Sequence, residues 1–340
     1  MARRLAPHFT RSPSRQRVMA YLHGLLSEAE RKHSWHVAEA CGAPTPYGFP
    51  YLLARADWDV DLVRDELRTY SIQHLGDPHG VLVLDDTGVV KTGRHSAGVA
   101  RQYTGTVGNV EHCHIGVFLS DAGPLGHTLL DRERYRPKEW TDERARGGQA
   151  GIPADRPCAT TPQLARQLLA RAFAASVPAA WVTGDRVYGD DRRLRLWLEA
   201  QPQPDVLAVS GQEYVWLGWQ QRQVKRLLAT LPEDGWTRLS AGDGAKGPRW
   251  YDWHWRSLTP PLEPGWCRWW LVRRRVSDPT DLTAYVVFAP QVTTLPEVVG
   301  VAGSRWTIES GVEAAKGEVG LDHDAVRSWT GWYRHITLAM

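Results

Sequence analysis

The stretch VLVLDD, residues 81–86, places two carboxylates directly after four apolar residues. A short apolar run rich in Val is typical of a buried β-strand, and here the predicted strand ends on Asp85 and Asp86. A strand-end aspartate often only caps the turn that follows it. Where several such carboxylates meet, they can bind Mg²⁺, which prefers hard oxygen ligands. Whether these aspartates cap a turn or bind a metal therefore depends on which other residues the fold places beside them.

The segments that follow predict an α/β fold built on a mixed sheet with flanking helices. The predicted elements are strands within 97–103, 112–120 and 126–135, an amphipathic helix over 161–176, a strand within 179–189, a helix over 190–199 and a strand over 205–210. The strand within 179–189 ends on Asp185, so a second strand-end carboxylate is available to the same sheet.

Changes of pattern along the chain predict four segments. Residues 1–76 read as several short helices behind an arginine-rich start, a pattern that suits a helix-turn-helix type of DNA-binding domain or, equally, a helical cap on the next domain. Residues 77–210 are predicted to form the first part of an α/β core. Residues 211–284, rich in Trp and Arg, form a β-rich insertion, and residues 285–340 return to the core. The chain stops at 340 within an apolar helical pattern, which suggests a truncated C-terminus.

Composition bounds the class of protein. The chain has 340 residues, 42% of them hydrophobic, and a formal net charge of +3, which supports a polyanionic partner only weakly. No apolar run approaches the ~20 residues of a membrane span. Four scattered cysteines form no C-x-x-C pair, which argues against a zinc ribbon or a disulfide scaffold. We therefore expect a soluble protein of the cytoplasm.

The third candidate carboxylate lies near the C-terminus. The sequence predicts a helix that opens at Thr294 and continues through SRWTIESGVEAAKGEVG, residues 304–320. Arg305, Glu309 and Lys316 share one stripe of that helix. They suit either a surface ion pair at i, i+4 or a site that handles phosphate and metal together. Joined to Asp85 and Asp185, Glu309 would complete a set of carboxylates able to hold two Mg²⁺ ions for phosphoryl transfer.

With these residues in place, the sequence resembles the DDE transposases of bacterial insertion sequences, in the group with a Tyr-Arg-Glu-Lys signature. The likeness extends from about Leu22 to the end, and it is densest in LVLDDTGVVKTGRHSAGVARQYTGTVGNVEHCHIGVFLS (82–120), LLDRERYRPKEWT (129–141), GDRVYGDDRRLRLWL (184–198), RLSAGDGAKGPRWYDW (238–253) and residues 305–340. Arg305, Glu309 and Lys316 meet the Arg-x₃-Glu-x₆-Lys spacing of the signature, whereas Ala302 occupies the position of its Tyr.

The resemblance implies an RNase H-like catalytic core with a β-rich insertion before the last catalytic helix. It implies that Asp85, Asp185 and Glu309 bind two Mg²⁺ ions, for which Mn²⁺ can substitute. The choice between Asp85 and Asp86 as the first ligand stays open. It also implies that Arg305 and Lys316 contact the DNA backbone and that Trp306 stacks on a base at the transposon end.

Two further basic residues follow the first aspartates. Lys91 and Arg94 suit phosphate contacts and equally suit solvated turn residues.

The expected function is cutting of element ends and joining of those ends to target DNA. The expected partners are double-stranded DNA, as terminal inverted repeats and as target, and a second copy of the chain in the DNA complex. Two alternatives are a DNA-binding relic or regulator without activity, and an RNase H-like nuclease without strand transfer.

Overall fold

The computed structural model describes residues 1–340 apart from positions 92, 94, 245, 260–263 and 324–325 and the side chain of residue 144. Its N-terminal part is helical, as the sequence predicts. The helices are α1 (Ala2–Leu5), α2 (Ser12–Leu25), α3 (Ser34–Ala40), α4 (Gly48–Ala54) and α5 (Val60–Leu75), with a 3₁₀ turn at Ala6–His8. The start of α5 is capped by the Asp59 carboxylate, which accepts the backbone N–H groups of Asp61 and Leu62.

The rest of the described chain is organised on one large sheet and a small hairpin. The strands are β1 (Val81–Val90), β2 (Ala100–Thr104), β3 (Asn109–Gly123), β4 (Gly126–Arg134), β5 (Trp181–Gly184), β6 (Asp205–Val209), β7 (Tyr214–Leu217), β8 (Gln220–Gln223), β9 (Thr237–Gly244), β10 (Gly247–Ser257), β11 (Trp266–Arg275) and β12 (Asp278–Pro290). The order along the large sheet is β2-β3-β1-β5-β6-β12-β11-β10-β9, with β4 paired to β3, while β7 and β8 pair with each other.

The sheet is mixed, which confirms the predicted RNase H-like fold class. Strands β1, β3 and β4 are antiparallel neighbours, whereas β5 is parallel to β1 and β6 is parallel to β5. Strand β12 pairs antiparallel with β6 and carries β11, β10 and β9 beyond it. The β-rich strands therefore extend the core sheet instead of forming a separate layer.

Helices cover both faces of the sheet. They are α6 (Lys138–Asp142), α7 (Arg144–Gln149), α8 (Thr161–Ala174), α9 (Arg186–Gly189), α10 (Arg192–Ala200), α11 (Val224–Leu228), α12 (Leu295–Ser304), α13 (Trp306–Val319) and α14 (Trp329–Ala339). Leu82 and Leu84 pack with α8 on one face, while Val81 and Val83 belong to the core on the other face. This two-sided burial explains why β1 begins with a continuous apolar run. Among the described helices, none combines the length and the apolar character that crossing a membrane requires.

Two differences from the predicted boundaries affect the candidate site residues. Strand β1 does not end at Asp85 and Asp86, because antiparallel pairing with β3 continues to Val90. The single helix predicted from Thr294 is two helices, α12 and α13, interrupted at Arg305. The predicted capping box at Thr294 is present. The continuation of β1 depends on its distant partner β3, which a local pattern does not contain.

Helix α14 joins the N-terminal helices to the sheet through buried polar contacts. Nε2 of His335 lies 3.0 Å from the Gly320 carbonyl, which can only accept, so Nε2 carries the proton. Nδ1 of the neutral ring then accepts the Tyr21 hydroxyl of α2 at 2.7 Å. The neighbouring Arg334 donates to the Trp58 carbonyl at 2.9 Å. A neutral His335 is therefore part of the fold.

We expect the contribution of this histidine to stability to decrease in mild acid. Complete burial lowers the pKa of His335 from 6.5 to about 4, so between these values the unfolded chain binds more protons than the folded one. The contribution of His335 to the free energy of unfolding then falls as pH decreases through that window, by about 2 kcal/mol between pH 7 and pH 5. Urea unfolding at the two pH values measures the change.

The matched variant is His335→Gln. Buried His114, whose pKa burial also lowers, contributes in the same direction, whereas Asp85 and Asp86, whose pKa values are raised, contribute in the opposite one, so the comparison is between the pH dependences of the two proteins. From pH 7 to pH 5 the wild type should lose more stability than the variant, or gain less, by about the amount that His335 supplies. Equal slopes in the two proteins would contradict the assignment.

Candidate functional site

The register of two parallel strands brings two aspartates side by side. Strand β1 pairs with β5 up to Leu84 and Gly184. The next residues along the two strands are Asp85 and Asp185, which therefore leave the sheet as neighbours. Asp185 also caps α9, because its carboxylate accepts the Val187 N–H at 2.9 Å. The structure thus brings the two predicted carboxylates together, Asp185 directly after β5 and Asp85 at the point where β5 leaves β1.

These aspartates line a cavity of about 1070 Å³ together with residues of α13. Arg305, Glu309 and Lys316 lie on its walls, so five of the predicted site residues share one cavity. Other lining residues are Asp86, Thr87, Tyr103, Thr106, Arg186, Arg273, Tyr285 and Glu313. The cavity thus combines clustered carboxylates with several cations.

Burial and mutual repulsion dominate the electrostatics of the carboxylates. Burial, with added repulsion from Asp185 and Asp86 and opposed by the Arg305 guanidinium, raises the pKa of Asp85 to about 7. Burial and the charge of Asp185 raise the pKa of Asp86 to about 6. The pKa of Asp185 is raised as well, chiefly by burial. Such concentrated negative charge favours the binding of a cation.

The third predicted carboxylate lies across the cavity on α13. Glu309 is half exposed and forms an ion pair with Arg305, with Oε1 and Nη2 2.6 Å apart. This is the i, i+4 pair that the sequence allowed as the simpler alternative. Among the described residues, no three His, Cys, Asp or Glu side chains converge in a geometry that could hold a metal ion. Glu309 is thus near the aspartates but is held by the arginine.

Comparison with known proteins identifies the family. A model described as DDE superfamily endonuclease matches residues 4–230, which is more than half of the chain. The chain belongs to the DDE superfamily endonucleases. It is also similar to a protein from Microchaete diplosiphon named as a probable transposase for insertion sequence element IS701. The two are 25% identical over 316 residues, which cover 88% of this chain and 74% of that protein. The family predicted from the sequence is confirmed.

The donor groups of this DDE endonuclease fit a divalent cation of the Mg²⁺ type. Endonucleases of the superfamily generally depend on a divalent metal. The cavity offers carboxylate oxygens, which Mg²⁺ and Mn²⁺ prefer. Asp85, Asp86 and Asp185 carry raised pKa values chiefly because of burial, and repulsion from neighbouring carboxylates adds to it at Asp85 and Asp86. A bound cation would relieve that repulsion, so the residues present fit such an ion.

Lys316 is tied to the sheet. Its Nζ donates to the Thr87 hydroxyl at 2.7 Å and to the Thr106 hydroxyl at 3.3 Å. The Thr106 hydroxyl donates in turn to the Gly88 carbonyl at 2.9 Å. Lys316 therefore fastens α13 to β1 and to the β2–β3 turn while its charge stays on the cavity wall.

The remaining predicted DNA contacts have different surroundings. The ring of Trp306 is partly buried, with the Arg249 guanidinium 5.2 Å from its centroid. Lys91 follows β1, where its backbone N–H donates to the His112 carbonyl at 2.8 Å, and it is outside the described lining of the cavity. Arg94 lies outside the described residues.

Sequence reasoning did not identify several residues of the cavity wall. Arg186 directly follows Asp185, so its position next to a predicted ligand was an available signal. Arg273 lies in the cationic run of β11, but alternation along a strand does not reveal which sheet neighbour it faces. Thr87 and Thr106 had no signal, because only the tertiary structure brings them to Lys316.

We expect Asp85→Asn to stabilise this protein in buffer without divalent metal. The substitution removes a buried charge that faces two other carboxylates, and the free energy of unfolding should rise by about 2 kcal/mol at pH 7. Adding Mg²⁺ should raise the melting temperature of the wild type more than that of the variant. Thermal unfolding with and without Mg²⁺ measures both effects. A destabilised variant, or equal Mg²⁺ shifts, would contradict a cation site at Asp85.

Proposed function

We propose that this protein is the transposase of an insertion sequence, which cuts the element ends and joins them to target DNA by phosphoryl transfer with two Mg²⁺ ions. The observation that carries the proposal is the placement of Asp85 next to Asp185 in a cavity that also holds Arg305, Glu309 and Lys316. Membership of the DDE superfamily endonucleases and similarity to a probable transposase support it.

The proposed metal ligands are Asp85, Asp185 and Glu309, with Mn²⁺ able to replace Mg²⁺. Two such ions would activate the attacking hydroxyl and stabilise the leaving oxygen of an in-line displacement. For Glu309 to act with the aspartates, its carboxylate has to leave Arg305. The Arg305 guanidinium is then available for a DNA phosphate, which it can bind through two parallel hydrogen bonds. The ion pair thus keeps both groups next to the place where each would act.

Each proposed reaction exchanges one oxygen on phosphorus for another. In the first, water attacks the phosphodiester at the element end and leaves a 3′-hydroxyl on the element. In the second, that hydroxyl attacks a target phosphodiester and displaces the target 3′-oxygen. Arg186, Arg273 and Lys316 supply positive charge along the walls for the flanking phosphates. Pairing of two element ends implies a homodimer in the DNA complex, and we place the protein in the cytoplasm, on the nucleoid when DNA is bound.

The N-terminal segment, residues 1–76, has a second concave surface that suits the binding of DNA. A cavity of about 810 Å³ lies between α2 and α4, lined by Arg11, Arg17, Arg55 and Tyr47 among others. The Arg17 guanidinium lies 5.4 Å from the ring centroid of Tyr51. We propose that this surface binds the duplex backbone of the terminal repeats, because arginines and tyrosines are frequent phosphate contacts. The catalytic segments, residues 77–210 and 285–340, and the insertion at 211–284 would then act on the DNA held there.

Glu309→Gln tests the catalytic proposal. We expect the variant to bind element-end DNA as the wild type does and to lose Mg²⁺-dependent cleavage by roughly 100-fold or more, because a neutral amide is a poor Mg²⁺ ligand. Gel-shift and nicking assays on DNA that carries the terminal repeats measure the two properties.

The control for Glu309→Gln is Glu318→Gln, an exposed position on the same helix, which should cleave normally. Near-normal cleavage by Glu309→Gln would move the third ligand elsewhere, with Glu313 the next candidate on the cavity wall. A wild type that binds ends without nicking would support the relic or regulator. Nicking without joined products would support a nuclease without strand transfer.

Arg17→Ala combined with Arg55→Ala tests the N-terminal surface. The pair should weaken end binding and reduce the slope of log affinity against log salt by about 1 for each arginine. Fluorescence anisotropy from 50 to 200 mM salt, roughly the range over which such contacts are lost, provides the slope. Arg193→Ala, an exposed position on α10, is the charge-matched control. An unchanged slope in the double variant would refute this surface as a DNA contact.

A further inference from the structure

We propose that Arg249 of β10 is a positioning residue for α13: it holds the break between α12 and α13 and thereby sets where Arg305 and Glu309 stand. The inference rests on the proposed function, since it concerns the geometry of the same site. Arg249 lies beyond residue 230, where the match to the family model ends, and outside the Arg-Glu-Lys spacing.

The break itself is marked by side chains that bond the helix backbone. The Ser304 hydroxyl donates to the Val301 carbonyl at 2.8 Å, and the Thr307 hydroxyl donates to the Ser304 carbonyl at 2.7 Å. Such bonds compete with the regular helix ladder and bend helices. Arg305, between the two helices, keeps helical dihedral angles, with φ −55° and ψ −33°. The two helices are therefore nearly continuous, and small shifts at the break will change the direction of α13.

Strand β9 supports the end of α12 at close range. A Cβ atom placed on Gly303 would lie 2.1 Å from the Ala241 carbonyl oxygen, so only glycine permits this approach. The last turn of α12 thus packs directly on the backbone of β9. This contact fixes the position of the break relative to the extended sheet.

Arg249 bridges the same two backbones. Its Nη2 donates to the Gly303 carbonyl at 3.0 Å and also to the Ala241 carbonyl. Its guanidinium lies over the ring of Trp306, the first residue of α13. A cation at the C-terminus of α12 meets carbonyls that the helix leaves without partners, which is a favourable place for it. One side chain thus contacts the end of α12, the start of α13 and the strand beneath.

The glycine-rich turn between β9 and β10 provides the room for this side chain. A Cβ atom on Gly244 would lie 3.1 Å from both Cγ and Cδ of Arg249, and Gly242 has φ +86°, which favours glycine. The stretch AGDGAKG, residues 241–247, resembles a phosphate-binding loop only in composition. Its glycines instead leave a path along which Arg249 reaches the helix break.

Partial burial of the Arg249 guanidinium costs free energy unless its contacts compensate for the lost hydration. Its described hydrogen bonds go to main-chain carbonyls, and its buried Nε has no hydrogen-bond partner among the described residues. Burial lowers its pKa, which reflects partial loss of hydration of the charge. If this partly buried cation only filled space, an apolar residue of similar size could replace it with little loss of stability.

A shift of the break between α12 and α13 would reach residues of the catalytic cavity within one helical turn. Arg305 occupies the break, and Glu309 follows it by four residues on the same face of α13. Both line the cavity with Asp85, so a displaced break would move both groups relative to the aspartates. Displacements of about 1 Å are enough to slow such chemistry about 100-fold.

The test compares Arg249→Met with Arg249→Lys, and uses Arg256→Met, an exposed position on β10, as the matched control. Arg249→Met should lower the turnover number for end cleavage about tenfold or more while KM and the Kd for end DNA change less than about twofold. Arg249→Lys should recover part of the loss, because an ammonium can still donate to the Gly303 carbonyl. Arg256→Met should behave as the wild type. A loss confined to KM or Kd, or no rescue by Lys, would overturn the proposal.

A double-mutant cycle with Trp306→Leu tests whether the tryptophan acts in positioning through its contact with Arg249. If it does, Arg249→Met combined with Trp306→Leu should cleave about as slowly as the slower single variant. Losses that multiply would overturn the contact as the basis of positioning. A large rise in Kd for end DNA in Trp306→Leu alone would instead assign Trp306 to base stacking.

Hydrogen exchange separates this proposal from the proposed function. Amides of residues 307–310 should exchange faster in Arg249→Met than in the wild type, whether or not the protein cleaves DNA. A wild type without Mg²⁺-dependent cleavage would refute the proposed function alone. Unchanged exchange at 307–310 in the variant would refute the positioning role alone.

Discussion

The placement of the candidate site depends on one register. Because β1 and β5 run parallel and their pairing ends at Leu84 and Gly184, the aspartates that follow leave the sheet side by side. Their charges repel each other, and the fold places them where the pairing of β1 with β5 ends, on the side of the cavity that faces α13. The cations of α13 then become part of the balance of charge. Arg305 lowers the pKa of Asp85 through its charge while it pairs with Glu309, so the arginine serves both walls of the cavity.

Much of this arrangement follows from local patterns in the sequence, and the remainder does not. The apolar runs of β1 and β5 place Asp85 and Asp185, and the capping box locates the start of α12, because these signals are contained within a few neighbouring residues. The extension of β1 to Val90 is set by its partner β3, far along the chain. The bonds of Lys316 likewise join segments that are distant in the chain.

The continuity of the sheet gives the β-rich strands a direct mechanical connection to the catalytic core. Strand β12 pairs with β6 on one edge and with β11 on the other, so β9 and β10 are fixed to the same backbone network as β1 and β5. A separate domain on a flexible linker would leave the two parts free to move. Here the position of α12, which rests on β9, is determined by the strands that also place the aspartates.

The contact between α2 and α14 has a consequence during synthesis. Tyr21 and His335 are 314 residues apart, and the ribosome adds about 5 to 20 residues per second. The first helices therefore wait roughly 15 to 60 s before their buried partner exists. During that interval the apolar side chains that pack on α14 are open to water and to other nascent chains. This long-range closure leaves the N-terminal helices open to non-native contacts until His335 has been synthesised.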